Sequence, residues 1–193
     1  MFVKEAGDPG FVAWHQDDYY WGLEPDDVVT AWVALTASTA ENGALQVIPR
    51  THRLPRLPHA ASAATSANML FTHEELATEL DVTNARTLCL DAGDMSLHHI
   101  KLVHGSQPNR SKARRMGIAI RYVAPHVRQV GNRDSALLVR GRDDYGHFRA
   151  DPIPTCDLDP VVMADVDAPL GSRPRGGTGS ACLLYTSPSP RDL

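Results

Sequence analysis

Three features of the sequence predict a mainly β domain, a double-stranded β-helix (jelly roll) with a few short helices. Its apolar segments are short and rich in β-branched residues, and each is bounded by a turn built on Gly, Pro, Asn or Asp. No strand-helix-strand unit recurs, which argues against an α/β fold around a parallel sheet. With 193 residues, 42% hydrophobic and 22% charged, the chain has the composition of one globular domain.

The elements follow in order. Phe11 to His15 reads as a strand that runs into His15-Gln16-Asp17. Glu24-Pro25-Asp26-Asp27 is a turn, and Val28 to Leu35 is an apolar run of the kind found in a buried strand. Glu41-Asn42-Gly43 turns tightly into Ala44 to Ile48, which Pro49 closes. His52 to Asn68, rich in Pro, Ala and Ser, reads as a surface excursion, and a short helix is expected near His73 to Leu80. Strands resume at Arg86 to Leu90 and Met95 to His99, joined by the turn Asp91-Ala92-Gly93-Asp94. The stretch Gly105 to Ser111 is turn-rich. Arg114 to Val123 then alternates like a strand, with Met116, Ile118, Ile120 and Tyr122 on one face and Arg115, Gly117, Ala119 and Arg121 on the other. Arg140 to Gly146 is a polar, glycine-containing loop that reads either as a lid or as a solvated turn.

Composition also removes several function classes. A formal charge of -4 gives no reason to expect nucleic acid as a partner. No stretch has the length of a transmembrane helix, and Met1 to Gly10 lacks the apolar core of a signal peptide. Cys89, Cys156 and Cys182 have neither metal-ligand spacing nor an even count for a disulfide framework. The expected setting is reducing and cytoplasmic, with a small molecule as substrate. Residues 169–193 are low-complexity and end in a run that resembles a translated sequencing adapter, so the domain is drawn at residues 1–168.

The chemistry centres on Trp14-His15-Gln16-Asp17-Asp18 and on the distant His104-Gly105-Ser106. On an extended strand, residues two apart point the same way, so His15 and Asp17 would present an imidazole nitrogen and a carboxylate on one face. His104 supplies a third ligand. Two histidines and one carboxylate leave metal positions open for a cosubstrate and dioxygen, which a closed four-ligand structural site does not. Arg115, beside the small residues Gly117 and Ala119, has room to grip a carboxylate with its two parallel N–H bonds. The remaining histidines are less telling. His52, His59, His73, His126 and His147 stand in polar contexts that read as solvated surface, whereas His98 and His99 suit either a cavity wall or an ordinary core position.

The segments WHQDDYYWGLEPDDVVTAWVAL, ENGALQVIPRTHR, GDMSLHHIKLVHGSQPNRSKARRMGIAIRYVAP and LLVRGRDDYGHF resemble the phytanoyl-CoA dioxygenase (PhyH-like) family of iron(II)/2-oxoglutarate oxygenases. The resemblance runs from Phe11 to Pro154 and implies a cupin-like barrel. It implies that His15, Asp17 and His104 bind Fe(II), and that Arg115 holds the far carboxylate of 2-oxoglutarate. Ser106 and Trp32 match positions lining the family's cosubstrate pocket, and Thr30 shares the face of Trp32. Each keeps a plainer reading: Ser106 as a turn hydroxyl, Trp32 as a core aromatic, Arg115 as a strand-edge charge. The implied reaction consumes 2-oxoglutarate and dioxygen, releases succinate and CO2, and hydroxylates a small organic molecule. An Asp at position 17 favours hydroxylation over halogenation, since related halogenases carry a small residue there. Tyr19, Tyr20, Trp21, His99 and Arg121 are the candidate substrate contacts. Family members carry helices and a strand ahead of the metal pair, so a chain with His15 so near Met1 is read as N-terminally truncated, a piece of an environmental sequence.

Two other readings fit the same residues. A cupin-like metal protein would use the triad without 2-oxoglutarate, and a non-catalytic barrel would only bind. Arg115 argues against the first of these, and the missing N-terminal part favours the second.

Overall fold

The computed structural model describes residues 1–61, 67–70, 74–130 and 134–167. The 169–193 tail lies outside them. Two four-stranded antiparallel sheets dominate, built from β1 (Phe2–Lys4), β2 (Val12–His15), β3 (Val28–Ala34), β4 (Leu45–Val47), β5 (Arg86–Thr87), β6 (Met95–His99), β7 (His104–Ser106) and β8 (Arg115–Val123). One sheet has the order β1-β8-β3-β6 and the other β2-β7-β4-β5. A cavity between them is lined from both, and the mainly β architecture is the one expected for a jelly roll.

The long pair β3 and β8 explains the frame. In β3 the β-branched run alternates until it reaches Ala31 and Trp32, both buried, and in β8 the Arg115, Gly117 and Ala119 side is the buried one. Their register sets Ala119 opposite Trp32 and Arg121 opposite Thr30. Gly117 is required at its place, because a Cβ there would come within 2.3 Å of the Trp32 ring. Tyr20, Trp21, Leu23, Val28, Ile100 and Val127 form a separate apolar cluster, whose burial favours the folded chain.

The turn before β4 forms as its sequence dictates. Asn42 accepts from Thr39 N at 2.7 Å and donates to Ala37 O at 2.9 Å, a local bonding pattern that short amide side chains favour. Gly43 follows at φ +77°, and a Cβ there would lie 2.3 Å from Gln107 O, so only glycine fits.

Several expectations change. Glu74–Leu76 is a strand, not part of a helix, and pairs antiparallel with His59–Ala61. The backbone bonds of that pairing, continued by Ala77 N to Pro58 O at 2.9 Å, outweigh a weak local helix preference. His73 lies outside the described residues. Gly105 and Ser106 extend β7 rather than opening a turn, because β2 and β4 flank them on both sides. Residues Phe2–Lys4, for which the sequence predicts no strand, form β1 along the edge of β8. Arg140 to Gly146 is exposed, and Asp143 accepts from Tyr145 N and Gly146 N, which is the solvated-turn alternative. A second helix, α2 (Pro160–Asp167), follows Asp159, whose carboxylate accepts from Val161 N at 2.9 Å as an N-cap does. Among the described residues, no helix is long and apolar enough to cross a membrane.

Candidate functional site

His15 ends β2, and the chain then leaves the strand. Asp17 is not extended, as the two-residue strand argument required, but takes right-handed helical angles (φ -58°, ψ -33°) as the N-cap of α1 (Asp18–Trp21). The helix folds back over the strand end because Tyr20 and Trp21 must reach the apolar cluster. The carboxylate nevertheless arrives beside the imidazole: His15 Nε2 is 3.5 Å from Asp17 Oδ1. His104 lies directly opposite His15 in the β2-β7 pairing, and its Nε2 is 3.9 Å from the same oxygen. The three side chains are buried, with one ligand atom from each lying within 4.8 Å of the others.

Backbone carbonyls orient both rings. His15 Nδ1 is 2.8 Å from Ala13 O, and His104 Nδ1 is 2.9 Å from Leu102 O. A carbonyl only accepts, so Nδ1 carries the proton in each ring and the Nε2 lone pair faces Asp17. Burial drives the His104 imidazole down to about 3, with the His15 ring beside it acting in the same direction. Burial pushes the Asp17 carboxyl up, but His104, His15 and Arg121 around it outweigh that and hold it well below the ordinary range. At neutral pH His104 therefore presents a neutral nitrogen beside the Asp17 carboxylate, the forms in which imidazole and carboxyl groups take a divalent cation. Buried neighbours lock the segment in place. Gln16 donates to Lys101 O at 2.9 Å and accepts from Leu57 N at 2.8 Å, while Asp18 takes a two-bond grip from Arg56 at 2.7 and 3.1 Å.

The trio opens into a cavity of about 330 Å³, whose walls include Thr30, Trp32, His98, Ser106, Arg115 and Arg121. Arg115 is buried, with its guanidinium 5.3 Å from the Trp32 ring centre. Burial lowers it to about 10, so it stays charged at neutral pH. Arg114 behaves differently, pairing at the surface with Glu5 at 2.8 Å. Ser106 is not bonded to its own turn. Its Oγ accepts from Lys4 Nζ at 2.8 Å.

Lys4 is the residue that sequence reasoning missed. It stands opposite Arg115 in the β1-β8 register and is 1% exposed. Burial, then the neighbouring Arg115, lowers its amine to about 7. The available signal was the alternation Phe2-Val3-Lys4, too short to mark a strand by itself.

Other expected contacts fall elsewhere. Thr30 and Arg121 line the cavity, but Tyr19, Tyr20, Trp21 and His99 are not among its lining residues. Tyr20 and Trp21 sit in the apolar cluster, the place their burial favours. Tyr19 stacks on His59 with ring centres 4.1 Å apart. His59 is no plain surface histidine, since its Nε2 also accepts from Gln16 N at 3.2 Å. Of the two adjacent histidines, His98 faces the cavity with its ring 5.0 Å from that of His104. His99 points to the opposite face and accepts from Lys101 N at 3.1 Å. Burial lowers both imidazoles.

The family described as Phytanoyl-CoA dioxygenase (PhyH) matches residues 1–117. A probable alpha-ketoglutarate-dependent hypophosphite dioxygenase of Stutzerimonas stutzeri is 30% identical over 123 residues, 64% of this chain and 42% of that protein. The peroxisomal phytanoyl-CoA dioxygenase of Bos taurus is 33% identical over 111 residues, 56% of this chain and 32% of that protein. Among solved structures, the apo form of the non-heme monooxygenase ThoJ superposes with a TM-score of 0.74 at 36% identity, covering 85% of this chain and 59% of that one. The chain thus spans less than half the length of those two curated relatives.

Proposed function

Since the chain belongs to the phytanoyl-CoA dioxygenase (PhyH) family, we propose that it is an iron(II)- and 2-oxoglutarate-dependent dioxygenase that hydroxylates a small organic molecule. The observation that carries this reading is the pairing of a buried two-histidine, one-carboxylate trio with a buried arginine on the wall of the same cavity. A metal-only cupin has no use for Arg115 at that position, and a plain binding barrel has no use for the trio.

His15, Asp17 and His104 would hold iron, which supplies oxidative decarboxylation of 2-oxoglutarate and hydroxylation of a C–H bond when loaded. The chain's own residues position and shield. Ala13 and Leu102 carbonyls keep the two Nε2 atoms aimed at the metal point. Arg115 takes the C5 carboxylate of 2-oxoglutarate, with Trp32 packed against the guanidinium and Lys4 alongside. Lys4 holds Ser106 Oγ, so the serine hydroxyl keeps its own proton to donate to the same carboxylate. The apolar side chains of Phe2, Val12, Leu45 and Leu70 on the cavity wall exclude water.

Anaerobic titration of the chain with iron(II) and 2-oxoglutarate is the direct test. The chelated complex gives a weak visible charge-transfer band, and neither iron alone nor 2-oxoglutarate alone does. Asp17→Ala should lose both the band and succinate formation. A wild-type chain that binds iron(II) but gives no band with 2-oxoglutarate would return the protein to the metal-only reading.

A further inference from the structure

The cavity holds a second polar group at the metal end, apart from the Arg115 end. Arg121, Thr30 and His98 belong to three neighbouring strands, and the register sets Thr30 directly opposite both of the others. They form one transverse row, and all three line the cavity. Six residues separate Arg121 from Arg115 on β8, a Cα separation of about 20 Å at roughly 3.3 Å per residue. The His98 ring lies 5.0 Å from that of His104, so the row sits over the metal trio rather than beside Arg115.

Two of its members are polar atoms kept from water. Thr30 is 1% exposed and His98 6%, and neither Thr30 Oγ1 nor His98 Nδ1 has a hydrogen-bond partner among the described residues. A buried hydroxyl and a buried ring nitrogen without partners are costly. They are explained by a ligand that bonds them. Arg121 supplies the charge. Its guanidinium lies 5.0 Å from the Trp21 ring centre and 5.8 Å from that of Phe2, and donates to Ala119 O at 3.1 Å. Ring faces on a guanidinium hold its plane in a fixed orientation.

Resting on the oxygenase reading of the same cavity, we propose that the Arg121, Thr30 and His98 row is the recognition site for a carboxylate on the primary substrate. A carboxylate offers two oxygens with several lone pairs. Arg121 takes the charge, and the Thr30 hydroxyl and a His98 N–H donate to the same group. The substrate class is therefore a small organic acid, bound by its carboxylate so that a neighbouring C–H bond faces the metal trio.

The test uses the 193-residue chain loaded with Mn(II) and saturated with 2-oxoglutarate, titrated calorimetrically with monocarboxylates from acetate to benzoate and with their uncharged primary amides. At least one carboxylate should bind tenfold or more tightly than its amide. Arg121→Gln should erase that preference, Arg121→Lys should keep part of it, and Thr30→Val and His98→Phe should each weaken the carboxylate severalfold. Affinity for 2-oxoglutarate should stay within about threefold in all four variants. Equal binding of acids and amides, a preference that survives in Arg121→Gln, or a matching loss of 2-oxoglutarate in Arg121→Gln would each overturn the proposal, the last by handing the row to the cosubstrate. Should Arg121→Gln not fold, the Thr30→Val and His98→Phe losses decide. If the wild-type chain binds no 2-oxoglutarate, the oxygenase reading fails, and the acid and amide series on the Mn(II) form still decides the row.

Discussion

At the scale of single residues, adjacent arginines separate a directed grip from surface charge. Arg115 is buried on the cavity wall, and Arg114 is half-exposed and paired with Glu5. Removing one partner of a buried charge pair costs about 2 to 5 kcal/mol, so Arg115→Ala should weaken 2-oxoglutarate by about thirtyfold to several thousandfold. An exposed pair contributes about 0 to 1 kcal/mol, so Arg114→Ala should change it little. Calorimetric titration of both variants checks the contrast, and equal losses would remove the directed role. Lys4 adds a dependence on pH. Its amine titrates near 7 in the folded chain, and a carboxylate placed beside it must raise that value. The complex then binds a proton that the free chain has lost. Affinity for 2-oxoglutarate should therefore be flat below pH 7 and fall as pH rises above it, by at most about tenfold per pH unit. Lys4→Met should flatten the profile. Stability runs the opposite way: an amine whose folded value is depressed from 10.5 to about 7 favours the unfolded chain most below pH 7, and the penalty fades as pH climbs towards 10.5.

At the scale of elements, the strands that were legible are those whose side chains alternate over many residues. The alternation of β8 placed Arg115, Gly117, Ala119 and Arg121 on one face, and the structure puts that face towards the cavity. The β3 run was equally clear. Short elements were not, because three residues cannot show a period: β1 was missed for this reason, and Glu74–Leu76 was read as helix because its partner His59–Ala61 is supplied by distant chain. The metal trio was legible as residue types in order, yet the reason given for Asp17 was wrong. Its approach to His15 comes from a helix start, not from strand alternation. His98 and His99 could not be separated without the β3-β6 register that sets His98 opposite Thr30. A test of the packing between elements follows from Gly117. An added Cβ would meet three Trp32 ring atoms at 2.3, 2.7 and 2.8 Å, so the ring must move. Gly117→Ala should cost about 1 to 3 kcal/mol as overpacking does, and it should weaken 2-oxoglutarate because Trp32 carries the Arg115 guanidinium. Thermal melting and cosubstrate titration read the two effects, and restoration by a second change, Trp32→Phe, would tie both to the ring. A variant unchanged in both would show that the strands part freely here.

At the scale of the whole molecule, the metal point joins parts of the chain that are far apart in sequence. His15 and Asp17 come from the junction of β2 and α1, and His104 comes from β7 at the centre of the same sheet. Burying the His104 imidazole beside His15 and Asp17 costs the folded chain desolvation that a bound cation would offset, and the unfolded chain does not present the three together. Loading should therefore appear as global stability. A ligand present at a hundredfold excess over its dissociation constant adds about 2.7 kcal/mol, and for a chain of this size each kcal/mol raises Tm by about 2 to 4 °C. The chain stripped with a chelator should then melt roughly 5 to 10 °C below the Mn(II)-loaded form, and 2-oxoglutarate should raise the loaded form further while leaving the stripped form nearly unchanged. His104→Ala should abolish the metal-dependent shift, whatever it does to the melting point of the stripped chain. Differential scanning calorimetry of both chains, with and without Mn(II), measures all of this. A shift of full size in His104→Ala would place the stabilising cation elsewhere on the molecule and break the link between this trio and the fold.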